Sequence, residues 1–172
     1  MVKLRKAVAY RRLERPYTRK SKYKKLSYVR SIPVSKVVRY DMGNPGKDFV
    51  HRFHLLSKSD LQIRHNAIES ARVATVRVLE GKLGKSAFHF QIRMYPHHIL
   101  RENPLAAGAG ADRMSTGMQR SFGKCIGVAA QVRKGKEMLT IEVDDPNCDI
   151  ARAALKSAGH KFACRTQIVQ ER

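Results

Sequence analysis

The sharpest periodicity in the chain lies at residues 87–94, where Phe88, Phe90, Ile92 and Met94 alternate with His89, Gln91 and Arg93. Strict alternation puts one face on a core and the other toward water, so it predicts a strand over Ala87–Met94. Phe49–Leu56 alternates less sharply, and Val37-Val38-Arg39-Tyr40 and Phe162–Val169 read as shorter strands at the two ends of the pattern. The turn sequence Gly43-Asn44-Pro45-Gly46 separates the first two. Two more apolar runs, Ile126–Val132 and Met138–Val143, flank Lys134-Gly135-Lys136 and predict a hairpin.

Helical spacing occurs twice. Ile63, Ala67, Ala71, Ala74 and Val78 recur every three or four residues, with Ser59 and Gln62 placed as a capping box before them and Gly81 and Gly84 after them. Ile150, Ala153, Ala154 and Ala158 form a second stripe, entered through Asp144, Asp145 and Pro146 and closed by Gly159. The order is β-β-α-β, a break, then β-β-α-β. The expected class is α+β, two helices packed on a mixed, largely antiparallel sheet.

The break, residues 101–124 (RENPLAAGAGADRMSTGMQRSFGK), has no period of its own. Gly108, Gly110, Gly117 and Gly123 punctuate it, and no aliphatic side chain larger than alanine occurs between Leu105 and Met114. Such a stretch inside a compact domain is either a functional loop or a disordered one, and the residues alone leave both open. Arg101, Arg113, Arg120 and Lys124 bracket the small residues with positive charge. Nucleotide motifs fail here. Gly117–Lys124 reads G-x5-G-K followed by Cys125, one residue too long for a phosphate loop and without its Ser or Thr. Gly108-Ala109-Gly110 lacks the third glycine of a dinucleotide fingerprint.

Charge changes the picture. Thirty-five Lys and Arg stand against fourteen Asp and Glu, a net +21 at pH 7. Residues 1–40 hold fourteen basic residues and one acid, Glu14, so +13 of that excess sits in under a quarter of the chain. Self-repulsion on this scale destabilises a lone compact protein and is relieved by a polyanion. Large aliphatic residues are sparse before Ile32, so residues 1–36 are expected to be a basic arm and 37–172 a single α+β domain. Tyr10, Tyr17, Tyr23 and Tyr28 lie among the arm's cations, combining phosphate neutralisers with rings that stack on exposed bases. A solvated tail without consequence is the plain alternative. Candidate RNA contacts are Arg11, Arg12, Arg15, Tyr17, Arg19, Lys20, Lys22, Tyr23, Lys24, Lys25, Tyr28, Arg30 and Lys36. Arg72, Arg77 and Arg93 join them on the polar faces of the predicted helix and strand, with Arg152 and Lys156 outward on the second helix.

Other chemistries find little support. Cys125, Cys148 and Cys164 are odd in number, contain no C-x-x-C pair, and make no finger or ribbon spacing with His51, His54, His97 or His98. His51 and His54 fall on opposite faces of their strand, and His97 and His98 read as RNA-facing or capping groups. Asp144 and Asp145 suit a helix N-terminus better than a catalytic pair. The expectation is no catalytic residue, no metal, no cofactor and no small-molecule substrate. No apolar run nears the roughly 20 residues needed to span a bilayer, and residues 1–15 hold no apolar signal core. A cytoplasmic protein without a membrane partner is expected.

The run Gly108-Ala109-Gly110-Ala111-Asp112-Arg113, then Thr116-Gly117-Met118 and Phe122-Gly123-Lys124, resembles the signature of a large-subunit ribosomal protein family. That family is called L-sixteen in bacteria and L-ten-e in archaea and eukaryotes. Arg15-Pro16-Tyr17-Thr18 and residues 28–36 (YVRSIPVSK) resemble the start of its archaeal and eukaryotic branch, and the likeness is colinear over nearly the whole chain. The resemblance implies an α/β-hammerhead fold and a non-enzymatic, structural role in translation. It implies a place between 5S rRNA and large-subunit rRNA near the A-site tRNA corridor, beside neighbouring ribosomal proteins. It also implies that residues 101–124 are directed toward the peptidyl-transferase centre and the A-site and P-site tRNAs. The residues concerned would be Arg101, Asn103, Gly108, Gly110, Asp112, Arg113, Thr116, Met118, Arg120 and Lys124. The alternative class is an RNA-modifying enzyme or an RNA chaperone acting on structured RNA.

Overall fold

The computed structural model describes residues 4–29, 31–103, 117–118 and 122–171. Its strands are β1 (Asp41–Gly43), β2 (His51–Ser57), β3 (Leu61–Arg64), β4 (Phe88–Ile92), β5 (His98–Glu102), β6 (Lys124–Val132), β7 (Glu137–Val143) and β8 (Thr166–Glu171). Among the described residues the helices are α1 (His65–Leu83) and α2 (Cys148–Gly159), with short 3-10 turns at Ala7–Tyr10, Lys24–Leu26 and Asp145–Asn147. The α+β class is as expected.

The strands form two sheets, one ordered β1-β4-β7-β2-β8 and a smaller one ordered β3-β6-β5. Every pairing among the described residues is antiparallel. In the larger sheet Phe53 lies opposite Ile141, which lies opposite Phe90, and Leu55, Leu139 and Ile92 form the next row. These rows share one buried cluster with Ile68, Ala71 and Leu79 of α1 and Ala151, Ala154, Leu155 and Ala158 of α2. Fully burying one such Phe or Leu stabilises by about 1.5–3 kcal/mol, so these rows and stripes hold the two layers together. The intervening positions make a polar lattice. Arg52 Nε and His89 Nδ1 bond Glu142 at 2.7 and 3.0 Å, while His54 bonds Thr140 at 3.0 Å and Glu171 at 3.1 Å. Burial pushes the Glu142 carboxyl up, but the His89 and Arg52 hydrogen bonds outweigh it and hold the group below its usual range.

The predicted hairpin around Gly135 is replaced by a corner. β6 pairs with β3 and β5 in the smaller sheet, whereas β7 pairs with β2 and β4 in the larger. Gly135 does make the turn, at φ +80. Its N–H donates to Ser57 O at 2.8 Å, Ser57 N–H donates to Lys136 O at 3.2 Å, and Lys134 N–H donates to Asp60 Oδ1 at 2.6 Å. The β2–β3 and β6–β7 connections therefore bend together, and their strands switch sheets side by side.

The first helix starts later than the capping-box spacing suggests. Leu61–Arg64 is strand β3, Ser59 caps nothing in the helix, and Arg64 stands before α1 in an extended conformation without a side-chain cap. The buried stripe is accordingly His65, Ile68, Ala71, Thr75 and Leu79, with Ala67, Ala74 and Val78 half-buried beside it. Gly81 lies inside α1, and Gly84 ends it at φ +76. In α2, Ala151 and Leu155 take the buried places expected of Ile150 and Ala153. The first strand falls at Asp41–Gly43 rather than Val37–Tyr40, and the last at Thr166–Glu171 rather than Phe162–Val169. β5 and β6 also run into the stretch that lacked a period, with Glu102 opposite Lys124 and Arg101 opposite Cys125.

Candidate nucleic-acid interface

The basic N-terminal segment lies on the smaller sheet, held by the side chains of Gln62 and Gln131, the latter oriented by His98. Gln62 N–H donates to Arg11 O at 2.9 Å, and its Nε2 donates to Tyr10 O at 3.2 Å and Arg12 O at 2.6 Å. The Gln131 amide shares its two hydrogens among Glu14 O at 2.5 Å, Gln62 Oε1 at 3.0 Å and His98 Nδ1 at 3.2 Å. Burial, then the charges of His97 and Arg101, push the His98 imidazole down to about 4. His98 is therefore neutral near pH 7, and Nδ1 acts as the acceptor that orients Gln131. Polar side chains on β3 and β6 thus satisfy arm carbonyls that the sheet would otherwise leave without donors, with His98 on β5 orienting Gln131.

Further along, the segment closes on itself. Tyr28 and Val29 N–H groups donate to Arg19 O at 3.0 and 3.3 Å, and Ser27 Oγ donates to Ser21 O at 2.8 Å while accepting from Ser21 N–H at 2.9 Å. Val29 is buried against Ile99 and Val128, with Tyr17 and Cys125 at the edge of this second cluster. The loop so formed exposes Lys20, Lys22, Lys24 and Lys25, and Tyr23 at its tip is 60% exposed with Lys22 over its ring.

Tyr17 and Tyr28 then stack on each other, and each ring carries a guanidinium. The Arg19 guanidinium carbon lies 4.9 Å from the Tyr28 ring centre, the two tyrosine rings are 6.5 Å apart at 15°, and Arg101 lies 3.8 Å from the Tyr17 ring. Arg101 also donates from Nη1 to Phe122 O at 2.6 Å and from Nη2 to Met118 O at 3.3 Å. Met118 packs on Gly123, where any Cβ would lie 2.5 Å from its methyl and φ is +93. Arg5 pairs with Glu102 at 2.5 Å. Between arm and β5 lies a cleft of about 1230 Å³, lined by Arg12, Arg15, Tyr17, Arg19, Tyr28 and Arg101 among others, with Asn103 and Met118 at its loop end. Its excess of guanidinium over carboxylate and its three tyrosine rings suit a polyanion that carries flat bases.

The remaining candidates divide. Arg77 is exposed and shares a shallow hollow of about 450 Å³ with Lys36, Lys161, Asn66 and Ser70. Arg72 is half-buried and forked onto Glu69 at 2.9 and 2.6 Å, and Glu69's hydrogen bonds raise its pKa. Arg93 bonds Gln91 at 3.0 Å and pairs with Glu137 at 3.4 Å, while Arg152 bonds Gln170 at 2.7 Å. Arg30, Gly108, Gly110, Asp112, Arg113, Thr116 and Arg120 lie outside the described residues. Of the paired histidines only His97 is exposed; His98 is buried in β5. Sequence reasoning missed Arg5, Gln62 and Gln131. The one signal for the glutamines was polarity in otherwise apolar runs.

Fold and site together define a strongly basic α+β protein whose N-terminal segment is docked beside a cationic, aromatic cleft. A family profile described as Ribosomal protein L16p/L10e matches residues 14–169, and the chain belongs to that family. Among its relatives is "Large ribosomal subunit protein uL16" of Methanococcus aeolicus, 47% identical over 167 residues, covering 96% of this chain and 93% of that one. The protein of the same name from Methanococcus maripaludis is 48% identical over the same shares. That from Archaeoglobus fulgidus is 42% identical over 163 residues, 95% of this chain and 90% of its own.

Proposed function

We propose that this chain is a structural constituent of the large ribosomal subunit in the cytoplasm, anchored in ribosomal RNA by its arm and the cleft behind it. The supporting observation is the union of family membership with a docked, tyrosine-laced cationic segment that has more positive charge than its own acids can neutralise. Its neighbours would be large-subunit rRNA, 5S rRNA and other ribosomal proteins. Residues 101–124 would reach toward the peptidyl-transferase centre and the A-site and P-site tRNAs. In this role the protein shapes RNA and aids tRNA accommodation while the RNA carries the chemistry. Among the described residues no helix is long and apolar enough to cross a membrane.

Salt titration tests the reading. Each neutralised phosphate adds about −0.9 to the log–log slope of affinity against salt on a duplex, and somewhat less on single strands. Removing residues 1–36 is expected to flatten that slope for ribosomal RNA fragments by several units. An unchanged slope would show that the arm does not grip RNA.

A further inference from the structure

We infer that the arm carries a site for one unpaired RNA base, on the face of the Tyr28 ring that the Arg19 guanidinium now covers. The inference rests on the RNA-binding reading above and adds to it the ligand and the surface that takes it.

The two guanidiniums of this tyrosine pair differ in what holds them. Arg101 is tied to two backbone carbonyls, Phe122 O and Met118 O, as well as lying on Tyr17. Arg19 is exposed, and its bonded partner is the hydroxyl of the ring it covers, Tyr28 Oη at 3.3 Å from Nη1. An exposed cation–π contact contributes about 2- to 5-fold in affinity, whereas a base stacked on an aromatic ring contributes about 5- to 150-fold. A base therefore displaces Arg19 from the Tyr28 face but would not displace Arg101 from Tyr17. The displaced guanidinium stays on its long side chain beside the ring, where it becomes a phosphate ligand.

The ring is fixed before any ligand arrives. Tyr17 Oη donates to Tyr28 O at 2.6 Å, Tyr28 N–H donates to Arg19 O at 3.0 Å, and the next residue, Val29, is buried. Little ordering is left to oppose binding. Arg12 and Arg15 line the same cleft and offer charge to the flanking phosphates. Paired bases are stacked inside a helix and present no free face, so the site selects a bulged, looped or terminal nucleotide.

The test uses the full-length protein and two RNA hairpins, identical except that one carries a single bulged 2-aminopurine. On the intact protein the bulged hairpin is expected to bind more tightly, with its fluorescence quenched by stacking. Tyr28→Leu should weaken the bulged hairpin by about tenfold and leave the matched one within about twofold, while Tyr28→Phe keeps both. Arg19→Ala should retain the quenching and lose roughly one phosphate from the salt slope. Equal binding of the two hairpins, or no quenching in the intact protein, would overturn the base site while leaving phosphate binding intact. Failure to bind either hairpin would defeat the RNA-binding reading itself. If Tyr28→Leu disturbed the arm's fold, the quenching in the intact protein would still decide the matter.

Discussion

Acidification should release the arm through His98. The imidazole is buried in β5, accepts from Gln131, and has its pKa pushed from 6.5 to about 4 by burial and by the charges of His97 and Arg101. Below pH 6.5 the unfolded chain takes up a proton that the folded protein refuses until about pH 4. Stability from this residue is therefore complete above the upper limit and falls as pH drops through the window. At about 1.36 kcal/mol per pH unit the loss approaches roughly 3 kcal/mol. The local result would be specific, because a protonated Nδ1 cannot accept from Gln131, whose amide reaches Glu14 O. Urea unfolding of the wild type and of His98→Gln, stepped from neutral to acidic pH, measures the effect. Subtracting one profile from the other removes the other titrating groups that do not couple to the site, and the wild-type advantage should shrink as pH falls. Proteolysis near residues 10–14 should accelerate over the same range. Parallel profiles, or a His98 NMR titration near its ordinary midpoint, would refute the reasoning.

Three further outcomes are expected. Gly43→Ala should destabilise the fold by more than about 2 kcal/mol in thermal melts, because φ is +88 and the new Cβ would lie 2.1 Å from Phe88 O. Gly135→Ala, at φ +80 with nothing within 4 Å, should cost only about 1–2 kcal/mol, and equal costs would contradict the contact argument. Arg77→Glu should weaken ribosomal RNA binding with an unchanged melting temperature, whereas Arg72→Glu should lower the melting temperature by opposing Glu69; the reverse pattern would invert the two roles. Shortening residues 105–115 should leave subunit assembly near normal and slow peptide-bond formation, and equal rates in subunits of matched composition would show those residues to be dispensable.

What could be read from the chain followed how each element is exposed. Phe88, Phe90, Ile92 and Met94 are buried while His89, Gln91 and Arg93 meet the polar side, so the period appears directly in the residues. Leu61, Gln62 and Ile63 are all buried, the core on one side and the arm on the other, so β3 has no alternation and was absorbed into the helix pattern. His98, Ile99 and Leu100 hid β5 in the same way. The corner was invisible because Lys134-Gly135-Lys136 makes the same turn whether its flanking strands pair together or join different sheets. In the candidate site, charge density and tyrosines drew attention to the arm. Its docking depends on Gln62, Gln131 and His98, which lie far from it in sequence. Arg72 and Arg77 look alike as outward cations on the predicted helix, yet Arg72 flanks the buried stripe with Glu69 one turn before it, whereas Arg77 lies on the opposite, exposed side.

The most direct measurement supplies the full-length protein to large ribosomal subunits stripped of their own copy and follows both through a high-salt gradient. The account predicts that the protein travels with the large subunit in one-to-one amount and that removal of residues 1–36 leaves it at the top of the gradient. Recovery of the intact protein at the top, or indifference to loss of the arm, would contradict it.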